Sequence, residues 1–266
     1  MTFSLATWNI NSVRLRMPIV ERVLAEKQPD VLCLQEIKCV NDAFPAKALK
    51  KAGYEHHAVH GQKGYHGVAI VSKHPLREIA STDYVAMGDT RHVTAVVDTG
   101  MGPVRIHNFY VPAGGDTPDR TANPKFDHKL NFLDEMMALQ ADEGDVPSIL
   151  VGDLNIAPLE TDVWSHKQLL KVVSHTPVET EALNAVQAAG GWEDVMRRHI
   201  DPAEKLFTWW SYRNPNWETN DKGRRLDHVW SSPRLAERST GIEVMKDARG
   251  WEKPSDHVPV IATFDF

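Results

Sequence analysis

Ser148-Ile149-Leu150-Val151-Gly152-Asp153-Leu154-Asn155 is the stretch on which the reading of this chain turns. Three β-favouring apolar residues in a row predict a buried strand, which Gly152 is expected to end. Asp153 and Asn155 lie two apart in chain that is still extended, so both point to one side. A carboxylate beside an amide at a strand end suits a phosphate, a water or a hard cation. Ordinary turn chemistry is the alternative, because Asp and Asn are common in turns. Other strands with polar ends tip the balance towards function.

Two of these lie near the N-terminus. Residues 3–10 read as a strand ending at Trp8-Asn9-Ile10-Asn11, and residues 16–28 as a helix with Pro18 tolerable in its first turn. Val31-Leu32-Cys33-Leu34-Gln35-Glu36 then reads as an apolar strand that delivers a carboxylate at its C-terminal end. Strand, helix and strand in this order imply a parallel pair through a crossover helix, with both polar ends on one edge of the sheet. Asn9 and Asn11 have capping or turn roles as alternatives. Glu36 is costly beside a buried run unless something pairs with it. Lys38 is the simple partner and a divalent cation the functional one.

Further along, a short helix is expected to about Lys51, followed by strands at 54–60, 65–72 and 91–98. Gly-containing turns such as Gly61-Gln62-Lys63-Gly64 make these antiparallel hairpins. His56, His57, His60 and His66 match no helical His pair or Cys/His knuckle, so they read as solvated strand residues. Arg91 beside Asp89 is a candidate phosphate contact or a surface pair. A strand at 104–110 ends in Tyr110, whose phenol either bonds a phosphate oxygen or packs over the loop. The loop at 113–123 feeds a helix at 124–142, where Lys125 and Lys129 share a face that is either a DNA-backbone contact or simply solvated. Residues 156–205 offer helices near 179–189 and 192–199 but little chemistry.

Leu206-Phe207-Thr208-Trp209-Trp210-Ser211-Tyr212-Arg213 interleaves rings with charge, and Lys222, Arg224 and Arg225 follow. Bases and sugars stack on rings while cations meet phosphates, so the pattern suits nucleic acid. A core strand with about half of its rings buried is the alternative. Finally, Asp227 in Arg225-Leu226-Asp227-His228-Val229-Trp230 and His257 in Pro254-Ser255-Asp256-His257 are candidates for an Asp–His pair, in which the acid fixes the imidazole tautomer and raises its proton affinity.

Composition sets the outer bounds. The chain has 266 residues, 42% apolar and 25% charged, with no repeat and no linker-like tract, so one domain over 1–266 is expected. A formal charge of −6 excludes a generally basic nucleic-acid binder while leaving room for local basic loops. The N-terminal residues lead directly into a strand pattern and there is no long apolar run, so an intracellular, cytoplasmic protein with no membrane association is expected. Cys33 and Cys39 read as reduced thiols. No Ser or Cys stands with a base as a nucleophile, and no Walker-type loop occurs. Oxygen donors without Cys or His clusters select Mg²⁺ or Mn²⁺ and suit phosphodiester hydrolysis.

Seven segments occur together: Asn9-Ile10-Asn11, Leu34-Gln35-Glu36-Ile37-Lys38, Gly61-Gln62-Lys63-Gly64, Tyr110-Val111-Pro112, Gly152-Asp153-Leu154-Asn155, Arg225-Leu226-Asp227 and Pro254-Ser255-Asp256-His257. In order and approximate spacing the set resembles the exonuclease III family of abasic-site endonucleases, within the endonuclease/exonuclease/phosphatase superfamily. The resemblance implies a four-layer α/β sandwich of two packed mixed sheets with helices outside. It also implies cleavage of duplex DNA 5′ to abasic sites, with 3′-to-5′ exonuclease activity and cleaning of blocked 3′ ends, by a monomer using Mg²⁺.

By position, the resemblance gives Glu36 to the metal and Asn9 to orienting phosphate or metal, with Asn11 as a candidate helper. Tyr110 and Asn155 go to the scissile phosphate, and Asp227 to orienting His257. Either Asp153 or His257 serves as the base; both, with Asn155, are also candidate metal ligands. Asp256 is a candidate for a second metal position. Trp209 and Trp210 resemble the family's abasic-pocket aromatics, and Arg91, Lys125, Lys129, Arg213 and Arg224 are the expected DNA contacts. Ser12, Ile37 and the polar loop 214–222 depart from the pattern. The competing readings are a phosphatase of the same superfamily acting on a non-DNA substrate, and an inactive DNA-binding scaffold.

Overall fold

The computed structural model describes all residues of the chain except Met1, Met101, Glu143, Asp145 and Phe266. Two six-stranded mixed sheets face each other. The first runs, edge to edge, Ser239–Val244, Val260–Asp265, Thr2–Asn9, Val31–Gln35, Val68–Ser72 and His56–His60. The second runs Leu76–Ala80, His92–Thr99, Gly102–Tyr110, Ser148–Asp153, Asp227–Ser231 and Glu193–Asp194. Thr2–Asn9 pairs parallel with Val31–Gln35, and Gly102–Tyr110 parallel with Ser148–Asp153; the other pairings are antiparallel.

The period of two along each strand builds the layers. Leu5, Val31, Cys33 and Ile70 of the first sheet meet Ala95, Ile106, Val151 and Val229 of the second in a shared core. The alternate residues Trp8, Leu32, Leu34 and Val71 face outward onto Val20, Val23 and Leu24 of the helix Met17–Lys27. On the far side Phe109, Leu150 and Trp230 lie against Phe126, Leu133, Leu183 and Val186 of the helices Pro124–Met136 and Pro177–Gly190. Helix, sheet, sheet, helix is the expected four-layer order. Central strands covered on both faces are apolar throughout, as Val31–Gln35 is apart from its last residue.

Local expectations fared unevenly. The helix at 124–142 stops at Met136. The strand at 91–98 does not continue a hairpin with 65–72, because Leu76–Ala80 intervenes and carries the chain to the second sheet. Leu76–Ala80 is an edge strand with most residues exposed, so it lacks the apolar run that would announce it. Gly152 does not end its strand. It lies inside it at φ 138, where a β-carbon would sit 1.9 Å from Phe109 O, so only glycine admits the neighbouring backbone. Both cysteines are buried and free. Among the described residues, no helix is long and apolar enough to cross a membrane.

Candidate active site

Because Asn9 and Gln35 are paired in parallel register, the chain leaves both strands on the same edge, with Glu36 next in line. Asp153 is likewise the register partner of Tyr110 on one side and of Asp227 on the other. The Asn9 amide nitrogen donates to Glu36 Oε1 and to Asp153 Oδ2, at 2.9 Å each, and so bridges the two sheets. Asp153 Oδ1 accepts from the Asn155 backbone N–H at 3.0 Å. The Asn155 side chain donates to Val111 O at 2.9 Å.

His257 is brought in by its own segment. Ser255 Oγ donates to Asn9 O at 2.6 Å, and Trp8 Nε1 to His257 O at 3.0 Å. His257 Nδ1 lies 2.8 Å from Asp227 Oδ2, and its Nε2 lies 3.6 Å from Asp153 Oδ2. Thr208 Oγ1 donates to Asp227 Oδ2 at 2.6 Å and accepts from the N–H groups of Leu226 and Asp227. Glu36, Tyr110, Asp153, Asn155, Asp256 and His257 all line one cleft of about 650 Å³.

Several non-glycine residues around this cleft hold left-handed backbone: Asn11, Ser12, Glu36, Lys38, His66 and Asn155. Strain of this kind gathers where side chains must be aimed rather than merely packed.

Burial alone would lower His257, but Asp227 and Asp153 raise it to about 10. It is therefore an imidazolium at neutral pH, with Asp227 fixing its orientation. Burial raises Asp153 against the pull of His257, with Asp227 adding to the rise, to about 7. Burial would raise Glu36 too, yet Lys38 at 2.7 Å and the Asn9 hydrogen bond bring it below the usual range. Tyr110 is pushed well above the usual phenol range by burial and then by Glu36 and Asp153, so it keeps its proton.

Asp153, Asp227 and His257 each offer a ligand atom within 4.8 Å of the others. One hydrogen bond, to Asp227, and one 3.6 Å ion pair, to Asp153, make this trio an Asp–His–Asp chain in which the imidazolium already serves both acids. Glu36 and Asp153 form a second carboxylate pair, each hydrogen-bonded to the Asn9 amide nitrogen. These are hard oxygen donors of the kind that Mg²⁺ and Mn²⁺ take, so the residues fit the ion. Asp227 Oδ1 is in addition fully enclosed without a hydrogen-bond partner among the described residues.

Not every expected contact is on the cleft. Trp209 lines it, donating to Asp256 Oδ2 at 2.9 Å, with the Arg224 guanidinium 5.2 Å above its ring. Arg213 and Lys222 line it as well, whereas Lys125 is exposed on its helix outside the cleft lining. Trp210 is corrected from pocket to core: it is 1% exposed, packed on Phe207 and Trp217. Lys129 is corrected from a surface cation to a buried one, 0% exposed and paired with Glu179. The helix is covered on that face by Pro177–Gly190, which the Lys125/Lys129 spacing could not reveal. Arg91 is neither free nor on the surface. It is 7% exposed, paired with Asp89 at 2.8 Å and stacked 5.0 Å over Tyr110, which it supports from behind.

Lys38 does pair with Glu36, and it also donates to Asn11 Oδ1 at 2.5 Å. Asn11 in turn donates to Asp256 Oδ1 at 3.1 Å, so both Asp256 oxygens accept from neutral groups. Thr208 and His66 were missed. Thr208 sat unremarked inside the aromatic run. His66, read as solvated, packs 5.9 Å from the Tyr110 ring and 3.6 Å from Asp89.

A two-sheet sandwich that gathers carboxylates, amides and one oriented imidazole at its rim defines a phosphoester-hydrolase type of centre. The family model described as "Endonuclease/Exonuclease/phosphatase family" matches residues 6–257, and the chain belongs to that family. It is 33% identical to an exodeoxyribonuclease III of Haemophilus influenzae, over 97% of this chain and 98% of that protein. It is similar to a solved AP endonuclease of Archaeoglobus fulgidus, with TM-score 0.91, 32% identity, 99% of this chain and 100% of that one covered. A Neisseria 3′ phosphatase solved with a product DNA hairpin is similar at TM-score 0.87 and 32% identity, covering 99% of this chain and 100% of that one.

Proposed function

We propose that this chain is a divalent-cation-dependent DNA repair nuclease that cleaves duplex DNA 5′ to abasic sites and has 3′-to-5′ exonuclease and 3′-end-cleaning activity. The observation that carries the reading is the convergence of Glu36, Asn9, Asp153 and the Asp227–His257 pair on one cleft whose wall holds Trp209, Arg213, Lys222 and Arg224. Relatives described as an exodeoxyribonuclease, an AP endonuclease and a 3′ phosphatase support it.

Glu36 and Asp153, both oriented by the Asn9 amide, would hold Mg²⁺ or Mn²⁺. Such an ion neutralises phosphate charge and lowers the pKa of water near it. Asp153, raised by burial and lying 3.6 Å from the His257 imidazole, is the residue that takes the proton from water. His257 stays cationic and faces the phosphate as a charge-assisted donor rather than as the base. Tyr110 keeps its proton and donates to a phosphate oxygen, while Asn155 aligns the same group. Trp209 offers a stacking face, and Arg213, Lys222 and Arg224 meet the backbone phosphates. The chain acts as one catalytic domain, as a monomer, and its two free buried thiols suit a reducing, intracellular compartment.

The test is a duplex carrying one tetrahydrofuran site, incubated with Mg²⁺. Incision 5′ to the site is expected. If that duplex survives while an inositol phosphate is hydrolysed, the substrate is not DNA.

A further inference from the structure

Lys129 has no exposed surface, and its ammonium meets three acceptors: Glu179 Oε1 at 2.5 Å, Asn155 O at 2.9 Å and Ala113 O at 3.4 Å. A buried ammonium is tolerated only where its donors are taken up, so these acceptors are held together by the charge they surround. Each lies on a different piece of chain at the cleft. Asn155 follows the strand that carries Asp153. Ala113 begins the loop after Tyr110, and a β-carbon at Gly114 would lie 2.9 Å from Lys129 Cδ, so this loop wraps closely on the lysine stem.

Glu179 reaches the third piece. Its carboxylate accepts from the Ser174 N–H at 3.0 Å, the Thr176 N–H at 3.2 Å and the Thr176 hydroxyl at 2.5 Å. Ser174 lines the cleft and its Oγ lies 2.7 Å from Arg224 Nη1. Asn155 itself has φ 55, a conformation that residues with side chains adopt rarely and that needs to be held from several sides. Asp153 holds its N–H, Val111 holds its side chain and Lys129 holds its carbonyl.

We propose that Lys129, locked by Glu179, is a positioning residue that sets Asn155 and the adjoining cleft wall for the reaction. It touches no substrate. It acts through Asn155, whose carbonyl it holds. The kinetic part of this inference rests on the nuclease reading of the cleft; the tether itself does not.

Lys129→Met alone strands a buried carboxylate and risks unfolding, so the informative protein is the full chain with Lys129→Met and Glu179→Leu together, which removes both charges at once. On the tetrahydrofuran duplex its kcat is expected to fall on the order of 10²-fold, as small misplacements of reacting groups do, with KM moving far less. In an Asn155→Ala background the same two changes cost little more, because the effect passes through Asn155. Amide hydrogen exchange at 113–115 and 154–156, which lose no direct partner to Glu179→Leu, is expected to speed up as a set while the sheets stay protected. Losses that multiply fully in the Asn155→Ala background, or faster exchange confined to the two helices, overturn the proposal. If the unsubstituted protein leaves the duplex intact, it is the nuclease reading that fails, and the exchange pattern alone then decides the tether.

Discussion

Two clusters of carboxylates sit inside this protein, and they are balanced differently. Asp162 and Asp194 meet Arg197 and Arg225, at 2.6 Å for Arg197 to Asp162, 3.0 Å for Arg225 Nη2 to Asp162 and 2.6 Å for Arg225 to Asp194. Charge there sums to nothing, and the cluster ties the loops beside the second sheet together. At the cleft, Glu36, Asp153 and Asp227 have only Lys38 and His257 in ion-pair contact among the described residues, and Asp256 has the neutral partners Asn11 and Trp209. Arg213, Lys222 and Arg224 line the wall without an ion pair to any of the four. Enclosed negative charge left in excess is costly unless a ligand completes it. The difference separates a structural ion cluster from the cleft proposed to take a cation and a phosphate.

The sharpest way to break this comparison is one substitution in each cluster. Asp153→Asn is expected to lower turnover on the abasic duplex by about 10⁴-fold with little change in Tm. Asp162→Asn leaves Arg197 without a carboxylate and Arg225 with Asp194 alone, so it costs about 3 kcal/mol of stability while the folded fraction keeps its turnover. Thermal melts beside single-turnover kinetics check both; a similar loss of stability in the two variants would erase the distinction.

Next comes the imidazole. His257 is raised to about 10 by Asp227 and Asp153 against the effect of burial, so it is protonated below that pH and loses its charge as pH rises through it. Activity that needs the imidazolium should therefore persist through neutral pH and fall only in strong alkali. Asp227→Asn should cost about 10³-fold and move that fall towards neutral. A pH–rate profile with an unshifted alkaline limb in the variant would contradict the role given to Asp227.

Buried histidines away from the cleft give the opposite sign. Burial lowers His107 to about 3 and His228 to about 4, from 6.5. The unfolded chain then takes up protons first as pH falls, so stability is full above about 6.5 and declines as pH drops towards 4. At 1.36 kcal/mol per unit, the upper bounds are roughly 5 kcal/mol for His107 and roughly 3 kcal/mol for His228. Melts in metal-free buffer from neutral to mildly acid pH measure it, and a flat Tm would contradict it. The smallest effect concerns the rim: Arg213→Ala should make the salt dependence of DNA affinity shallower by about one phosphate contact, read from log Kd against log salt.

Much of the site was legible because it sits at strand ends. Asn9, Glu36, Tyr110 and Asp153 each close or follow an apolar run, and parallel register carries such ends to one edge. His257 and Asp227 were readable as a pair only because one acid interrupts a buried strand. The errors fall where a side chain's surroundings come from distant chain. Lys129 has the spacing of a solvated helix face, but Glu179, fifty residues on, buries it. Trp210 adjoins Trp209, yet adjacent residues of a strand point opposite ways, and only one of the two faces the cleft. Leu76–Ala80 and Ser239–Val244 flank the sheets, where pairing on one side alone leaves no long apolar signal.

The carboxylates of the cleft are expected to hold a divalent cation at Glu36. Titration of the protein with Mn²⁺, followed by the loss of the free-ion paramagnetic resonance signal, tests it without reference to any substrate. Saturable binding to the unsubstituted chain is expected, with an affinity weaker by about 10²-fold in Glu36→Gln. Equal affinity in the two proteins, or no binding to either, would contradict it.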